Sequence, residues 1–252
     1  MNKVYNSRLI LIAATLVILN AAFGIAAQKV ETTPPTRAQA LASPAAAFAF
    51  FQAADEIAKM EIRAELQKNP GSRDGLLLGQ SPYVAIVGCS DSRVPYGELL
   101  GAKSNDVFTV SLAGNVVSDD AIASIEYAVK YLNVPLVVVL GHDHCGAVSA
   151  CMNEAEVGGA LPQLLGKIRP AIQSAKKACV GCDKEALFSA CIAANAKLSM
   201  EELTNRSPKI RTLVQEGKVA LACGVIDLSD ASIQWIVTPT TVTPAAVTPA
   251  AK

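Results

Sequence analysis

The sequence predicts an α/β domain: a mainly parallel β-sheet flanked by helices on both faces, with an antiparallel edge strand and an N-terminal helical arm. Three observations carry that reading. Residues 83–88, 107–112 and 134–140 are short apolar runs, the third with Val137, Val138 and Val139 unbroken. Runs without polar alternation suit parallel strands that are covered on both faces. Between the second and third runs, Ile122, Ile125, Val129 and Leu132 share one helical stripe behind Ser118-Asp-Asp, which makes a strand, helix, strand crossover. Near the end, residues 219–227 and 233–237 flank Ser229-Asp230 as a final strand and its antiparallel neighbour.

The elements follow in chain order. Residues 1–27 have the form of a secretory signal peptide: Lys3 and Arg8, an aliphatic stretch from Leu9 to Leu19, then small residues with cleavage expected after Ala26 or Ala27. An uncleaved anchor is the alternative, because the apolar stretch approaches membrane-spanning length. Either way the domain is expected outside the cytoplasm, periplasmic or secreted. Residues 28–44 read as a flexible Thr/Pro/Ala lead-in. From Ala45 to Leu66, Phe48, Phe51, Ala54, Ile57, Met60 and Ile62 recur at helical spacing, and Asn69-Pro70-Gly71 ends the pattern. That helix packs its apolar face on its own domain or clasps a second subunit. Helices are expected again over 161–177, with Pro162 in the first turn, over 184–203, and from Ser207-Pro208 to Gly217. The folded domain covers 45–238, and residues 239–252 continue a Val-Thr-Pro repeat too poor in bulky side chains to fold.

The chain has 252 residues, 51% of them hydrophobic, and a formal net charge of +0. That suits one domain with a full core and argues against nucleic acid as a partner, leaving a small molecule. Two short stretches say what the molecule is for. Cys89, Asp91 and Arg93 lie in Gly88-Cys-Ser-Asp-Ser-Arg93, and His142 and Cys145 lie in Gly141-His-Asp-His-Cys-Gly146. Each follows an apolar strand-like run, so the two could meet at one edge of a sheet. Two thiolates and an imidazole suit zinc, and three protein ligands leave a fourth position for a water that the metal acidifies. Asp91, two residues from a ligand, can face the same side as Cys89, and Arg93 can hold its carboxylate by a bidentate pair and keep it ionised. An Asp held in this way can orient the water or swing in to take the fourth position. His142 and His144 are the chain's two histidines. The spacing to Cys145 favours His142 as the ligand, with His144 at the pocket mouth as a proton relay or simply in solvent.

These stretches resemble the β-class carbonic anhydrases. Cys89-Ser-Asp-Ser-Arg-Val-Pro95 is similar to the family's first signature and Gly141-His-Asp-His-Cys-Gly-Ala-Val148 to its second. Further agreement lies in Gln80-Ser-Pro82, Ala113-Gly-Asn-Val116 and Ser124-Ile-Glu-Tyr-Ala128. The resemblance implies reversible hydration of carbon dioxide to bicarbonate, with zinc on Cys89, His142 and Cys145 and with Asp91 and Arg93 as the catalytic dyad. It also implies Gln80 as a bicarbonate contact across a dimer interface, and a homodimer or higher homo-oligomer. The chain departs from the family where Ser111-Leu112 stands in place of an Arg near Ala-Gly-Asn, and where an Asn-containing motif is hard to find around 52–57.

Five cysteines remain: Cys151, Cys179, Cys182, Cys191 and Cys223. Export predicts a disulfide among Cys179, Cys182 and Cys191, with its connectivity open. Three other functions fit parts of the sequence. They are a zinc hydrolase of carbonyl sulfide or carbon disulfide, a non-catalytic bicarbonate-binding module, and a disulfide oxidoreductase resting on Cys179-Val-Gly-Cys182.

Overall fold

The computed structural model describes residues 38, 43–71 and 73–239. The export signal expected over 1–27, nearly all of the lead-in and all of the tail but Pro239 lie outside the described residues. Two compact units divide the chain at Gly75 and Leu76. In the first, helix α1 spans Pro44–Lys68. Ser43 caps it, its Oγ accepting from the Ala46 N–H at 3.1 Å, and Pro44 occupies the first turn where its missing N–H costs nothing. The helix stops at Asn69-Pro70-Gly71, where proline cannot continue it and Gly71 has φ +82°. No residue of α1 is buried, and Phe48 and Phe51 stand exposed.

The second unit is built on one five-stranded sheet: β1 (Val84–Gly88), β2 (Val107–Ser111), β3 (Leu136–His142), β4 (Ala220–Ile226) and β5 (Ile233–Val237). The strand order is β2-β1-β3-β4-β5, parallel throughout except for the antiparallel β4–β5 pair. Every residue of β1 is buried and β3 is buried from Val137 on, whereas β2, at the edge, is half exposed. Covering both faces explains the apolar runs. On β1, Val87 packs with Val137, Val139, Ile125, Leu203 and Ile210, while Ile86 faces the other way toward Val138, Leu140, Val94 and Tyr96. Each such side chain contributes roughly 1.5–3 kcal/mol relative to exposure.

The helices of this unit are α2 (Tyr96–Leu99), α3 (Asp119–Tyr131), α4 (Gly146–Met152), α5 (Leu161–Ala178), α6 (Lys184–Arg206) and α7 (Pro208–Gln215). Ser118, Asp183 and Ser207 cap α3, α6 and α7 through side-chain oxygens that accept from N–H groups three residues on. A third apolar cluster, from α4, α5 and α6, gathers Val148, Ile168, Ile172 and Ile192 around Cys89 and Cys145.

One expectation shifts. The third strand runs over Leu136–His142 rather than 134–140, because the Val134 N–H still serves the end of α3 at Ala128, Asn133 turns at φ +56° and Pro135 has no N–H to give a ladder. His142 is therefore the last residue of the strand and not the first of a loop. The expected crossover from β2 through α3 to β3 is present, and it passes over one strand. The chain steps from β1 outward to β2, and α3 then carries it over β1 to β3 on the far side. Connections leave β1 and β3 in opposite directions, which opens a crevice at their carboxyl ends, the usual ligand position in an open α/β sheet.

Candidate metal centre

Both motifs end in that crevice. Cys89 is the first residue past β1, and its position depends on Gly88. A Cβ at Gly88 would collide with the ring and hydroxyl of Tyr96, which is buried and donates to the Cys89 carbonyl at 3.2 Å. His142 closes β3, fully buried. Its Nδ1 lies 2.8 Å from the Asp143 carbonyl, an acceptor only, so Nδ1 carries the proton and the Nε2 lone pair faces the cysteines. Cys145 is the N-cap of α4 and is buried. The turn between them is pinned to β4: the Asp143 N–H donates to Ile226, and the Asp143 carboxylate accepts from the Leu228 N–H at 3.0 Å. The result brings the ligand atoms of Cys89, His142 and Cys145 within 4.8 Å of one another.

Whether a cation fits is answered by the donors themselves. His142 Nε2 is buried with no hydrogen-bond partner, the only such side-chain atom among the described residues. A buried lone pair facing two thiols can be met only by a weak S–H donor such as Cys89 or by a cation sitting between them, and the cation satisfies all three groups at once. The thiols behave accordingly. Cys89 is pulled down to about 4, first by its hydrogen bond with Cys145, then by His142 and by the N–H groups of Gly114 and Asp91, against the opposing effect of burial. Cys145 is pushed up, first by serving Cys89 and then by burial. Two buried thiols cannot both ionise side by side, and a divalent cation removes that conflict. For His142, burial opposes protonation, but the nearby Cys89 outweighs it and raises the pKa.

Asp91 and Arg93 form the bidentate pair: Arg93 Nε donates to Oδ1 at 2.9 Å and Nη2 to Oδ2 at 2.7 Å. Arg93 also donates its backbone N–H to Oδ1 and its Nη2 to the His144 carbonyl at 3.2 Å, tying the first motif to the second. The Arg93 hydrogen bonds hold the Asp91 carboxyl well below the usual carboxylate range. Asp91 Oδ2 lies 3.8 Å from His142 Nε2, so the carboxylate faces the three donors while Arg93 keeps it out of contact.

Other residues singled out in the sequence lie apart. His144 is exposed at φ +50°, its Nε2 3.7 Å from Asp143 Oδ2, and it stays outside the cluster. Gln80 is exposed on the stretch before β1. The disulfide joins Cys179 to Cys182, while Cys151, Cys191 and Cys223 are buried free thiols. Two contributors escaped the sequence reading. Tyr96 supports Cys89 from below, and the backbone N–H of Gly114 donates to Cys89 Sγ at 3.2 Å. A backbone donor leaves no residue-type signal, although the Gly88-Cys89 step hinted that something large sits beside the strand end.

Comparison with known proteins places this arrangement. The family profile described as carbonic anhydrase matches residues 84–233. Carbonic anhydrase 2 of Mycobacterium tuberculosis is 43% identical over 104 residues, 40% of this chain and 50% of that protein. The match thus spans half the length of that relative. The carbonic anhydrase of Mycolicibacterium smegmatis is 33% identical over 166 residues, 64% of this chain and 78% of that protein. Among solved structures, a tetrameric β-carbonic anhydrase from Sordaria macrospora superposes with TM-score 0.70 at 25% identity, covering 76% of this chain and 98% of that one. A β-carbonic anhydrase of Aspergillus fumigatus does so with TM-score 0.68 at 27% identity, covering 75% and 92%. With its parallel sheet, its two motifs at the switch point and these relatives, the chain belongs to the β-class carbonic anhydrase family.

Proposed function

We propose that the protein catalyses the reversible hydration of carbon dioxide to bicarbonate and a proton, at a zinc ion held by Cys89, His142 and Cys145. The observation that carries this is the buried, unpartnered His142 Nε2 facing two thiols at the ends of β1 and β3. Two soft sulfurs and one imidazole suit zinc, and three protein donors leave a fourth place for chemistry. Bound there, zinc supplies the Lewis acidity that makes water a nucleophile near neutral pH.

The chain's own groups do the rest. Asp91, kept ionised by Arg93, accepts a hydrogen bond from the reacting water at Oδ2 and so aims its lone pair at carbon dioxide. Arg93 is a donor only, so it fixes the orientation of Asp91 without competing for that proton. Val116 and Val148, packed about the two cysteines, give the site an apolar wall where these interactions are little screened. Gln80 contacts bicarbonate from a second copy of the chain in a homodimer or larger assembly, and α1 supplies an apolar face for that pairing. The 1–27 segment exports the protein to the periplasm or beyond, or holds it at the membrane if it is not cleaved.

The deciding experiment is stopped-flow hydration of carbon dioxide by zinc-loaded protein, with metal content measured on the same sample. We expect one zinc per chain and a hydration rate far above the uncatalysed one. Protein that holds zinc yet leaves hydration at the uncatalysed rate, or turns over only carbonyl sulfide or carbon disulfide, overturns the reading. N-terminal sequencing of native protein tests export, with a start near Ala27 or Gln28 expected and an intact Met1 in soluble cytoplasm against it.

A further inference from the structure

We infer that Asn195, on α6, is a positioning residue for the metal centre, holding the Gly114–Asn115 turn so that a backbone N–H is aimed at the Cys89 sulfur. The inference rests on the reading that Cys89 is a metal ligand. Four contacts lead from the helix to the sulfur. Asn195 Nδ2 donates to the Gly114 carbonyl at 2.7 Å and reaches Asn115 Oδ1 at 3.3 Å. Asn115 Nδ2 in turn donates to Ser199 Oγ at 3.4 Å, and the Gly114 N–H donates to Cys89 Sγ at 3.2 Å. Asn115, Asn195 and Ser199 are all buried. Asn195 and Ser199 are four residues apart, so one face of α6 presents both to the turn.

The turn needs this support. Gly114 has φ +66° and Asn115 φ +46°, two successive residues in the left-handed region that L-residues adopt at a cost. Packing fixes where the turn sits, and the Asn115 N–H donates to the Leu112 carbonyl at 2.9 Å on one side of the Gly114–Asn115 peptide. A Cβ at Gly114 would come within 2.7 Å of Ile168 and 3.1 Å of Ala147, so α4 and α5 close on a bare backbone. Asn195, on the Gly114 carbonyl, holds the other side of that peptide. With the Gly114 carbonyl anchored toward α6 and Gly114 at φ +66°, the N–H of the preceding peptide is directed at the sulfur. An N–H donor to a ligating thiolate withdraws charge from the sulfur and fixes its approach, and outer groups of this kind govern both metal affinity and metal–sulfur electronic structure. An apolar side chain at 195 would fill the space but leave the buried Gly114 carbonyl without its donor, the peptide then being held only through the Asn115 N–H on the Leu112 carbonyl.

The test uses the full chain in three forms: wild type, Asn195→Leu and Ser199→Ala. Zinc affinity is measured by competition with a chromogenic chelator, and the thiolate-to-cobalt charge-transfer band is recorded after loading with cobalt(II). Asn195→Leu is expected to weaken zinc by about 10- to 100-fold and to shift the cobalt band. Ser199→Ala, one contact farther out, should move both in the same direction by less. Leu203→Ala, buried in the other cluster, controls for general destabilisation: it should lower the melting temperature and leave the band in place. Folded Asn195→Leu with the wild-type band and affinity overturns the inference. Should Asn195→Leu fail to fold, Ser199→Ala decides, and an unchanged band there overturns it equally. Failure of the metal reading looks different, because wild type itself would then show no thiolate band.

Discussion

Cys179 and Cys182 are neighbours in sequence and are joined in a disulfide at the turn between α5 and α6, where Val180 stands exposed. Cys89 and Cys145 are far apart in sequence, buried, and free. The comparison teaches that the chemistry of a cysteine in this chain follows its surroundings rather than its spacing. At the helical turn two intervening residues bring the Cα atoms to 5.5 Å, within the range a disulfide spans. At the strand ends Cys89 hydrogen-bonds Cys145, lies beside the His142 imidazole and accepts from the Gly114 N–H, and these draw its pKa down to about 4 against the opposing effect of burial. The pair that looks like a motif closes a turn; the pair that sequence separates forms the candidate metal centre with His142.

That contrast is broken most strongly by His142→Ala or Cys145→Ser. Either should take metal content from one ion per chain to none and carbon dioxide hydration to background, by elemental analysis and stopped-flow assay. Metal retained by His142→Ala and lost by His144→Ala would reassign the ligand.

Asp91→Asn comes next. It should keep the metal but lower hydration by roughly 10²-fold or more, the scale for a positioned catalytic group. Activity equal to wild type would leave the Asp91–Arg93 pair a structural salt bridge. The same variant sharpens the pH behaviour. The folded-state pKa of Asp91 is depressed, so its stabilisation is complete above the ordinary carboxyl range near pH 4 and is lost as pH falls through the depressed value. Acid unfolding followed by circular dichroism should therefore show a slope in wild type that is reduced in Asp91→Asn.

Gly88→Ala probes what supports the buried pair. Its Cβ must displace Tyr96, and overpacking of that kind costs about 1–3 kcal/mol, measurable by urea unfolding of the metal-free protein. An unfolding midpoint equal to wild type would show that Tyr96 yields freely. The smallest effect belongs to the disulfide pair. Cys179→Ser with Cys182→Ser should cost at most about 2 kcal/mol, because so short a loop releases little chain entropy, and should leave hydration and metal content unchanged. A large loss of activity would make the helical turn part of the site and end the comparison.

Much of the architecture was legible in the residues. The β-branched run at 137–139 and the apolar run before Gly88 mark the central strands because a strand buried on both faces has no polar alternation to show. Ser118 and Ser207 mark helix starts because a free N–H needs an acceptor there. The sequence by itself also determined the donor atoms: two cysteines, a histidine, and an Asp two residues before an Arg, whose chemistry is intrinsic to the side chains. Only tertiary structure decided that β1 and β3 are neighbours while β2 lies outside them, which sets Cys89 beside His142. It alone decided that Asn195 reaches the Gly114 carbonyl, and that Gly114 sends its N–H to Cys89. The physical reason is that side-chain chemistry and local periodicity are written residue by residue, whereas strand order and backbone donors arise from the summed packing of distant segments, which no single stretch of the chain encodes.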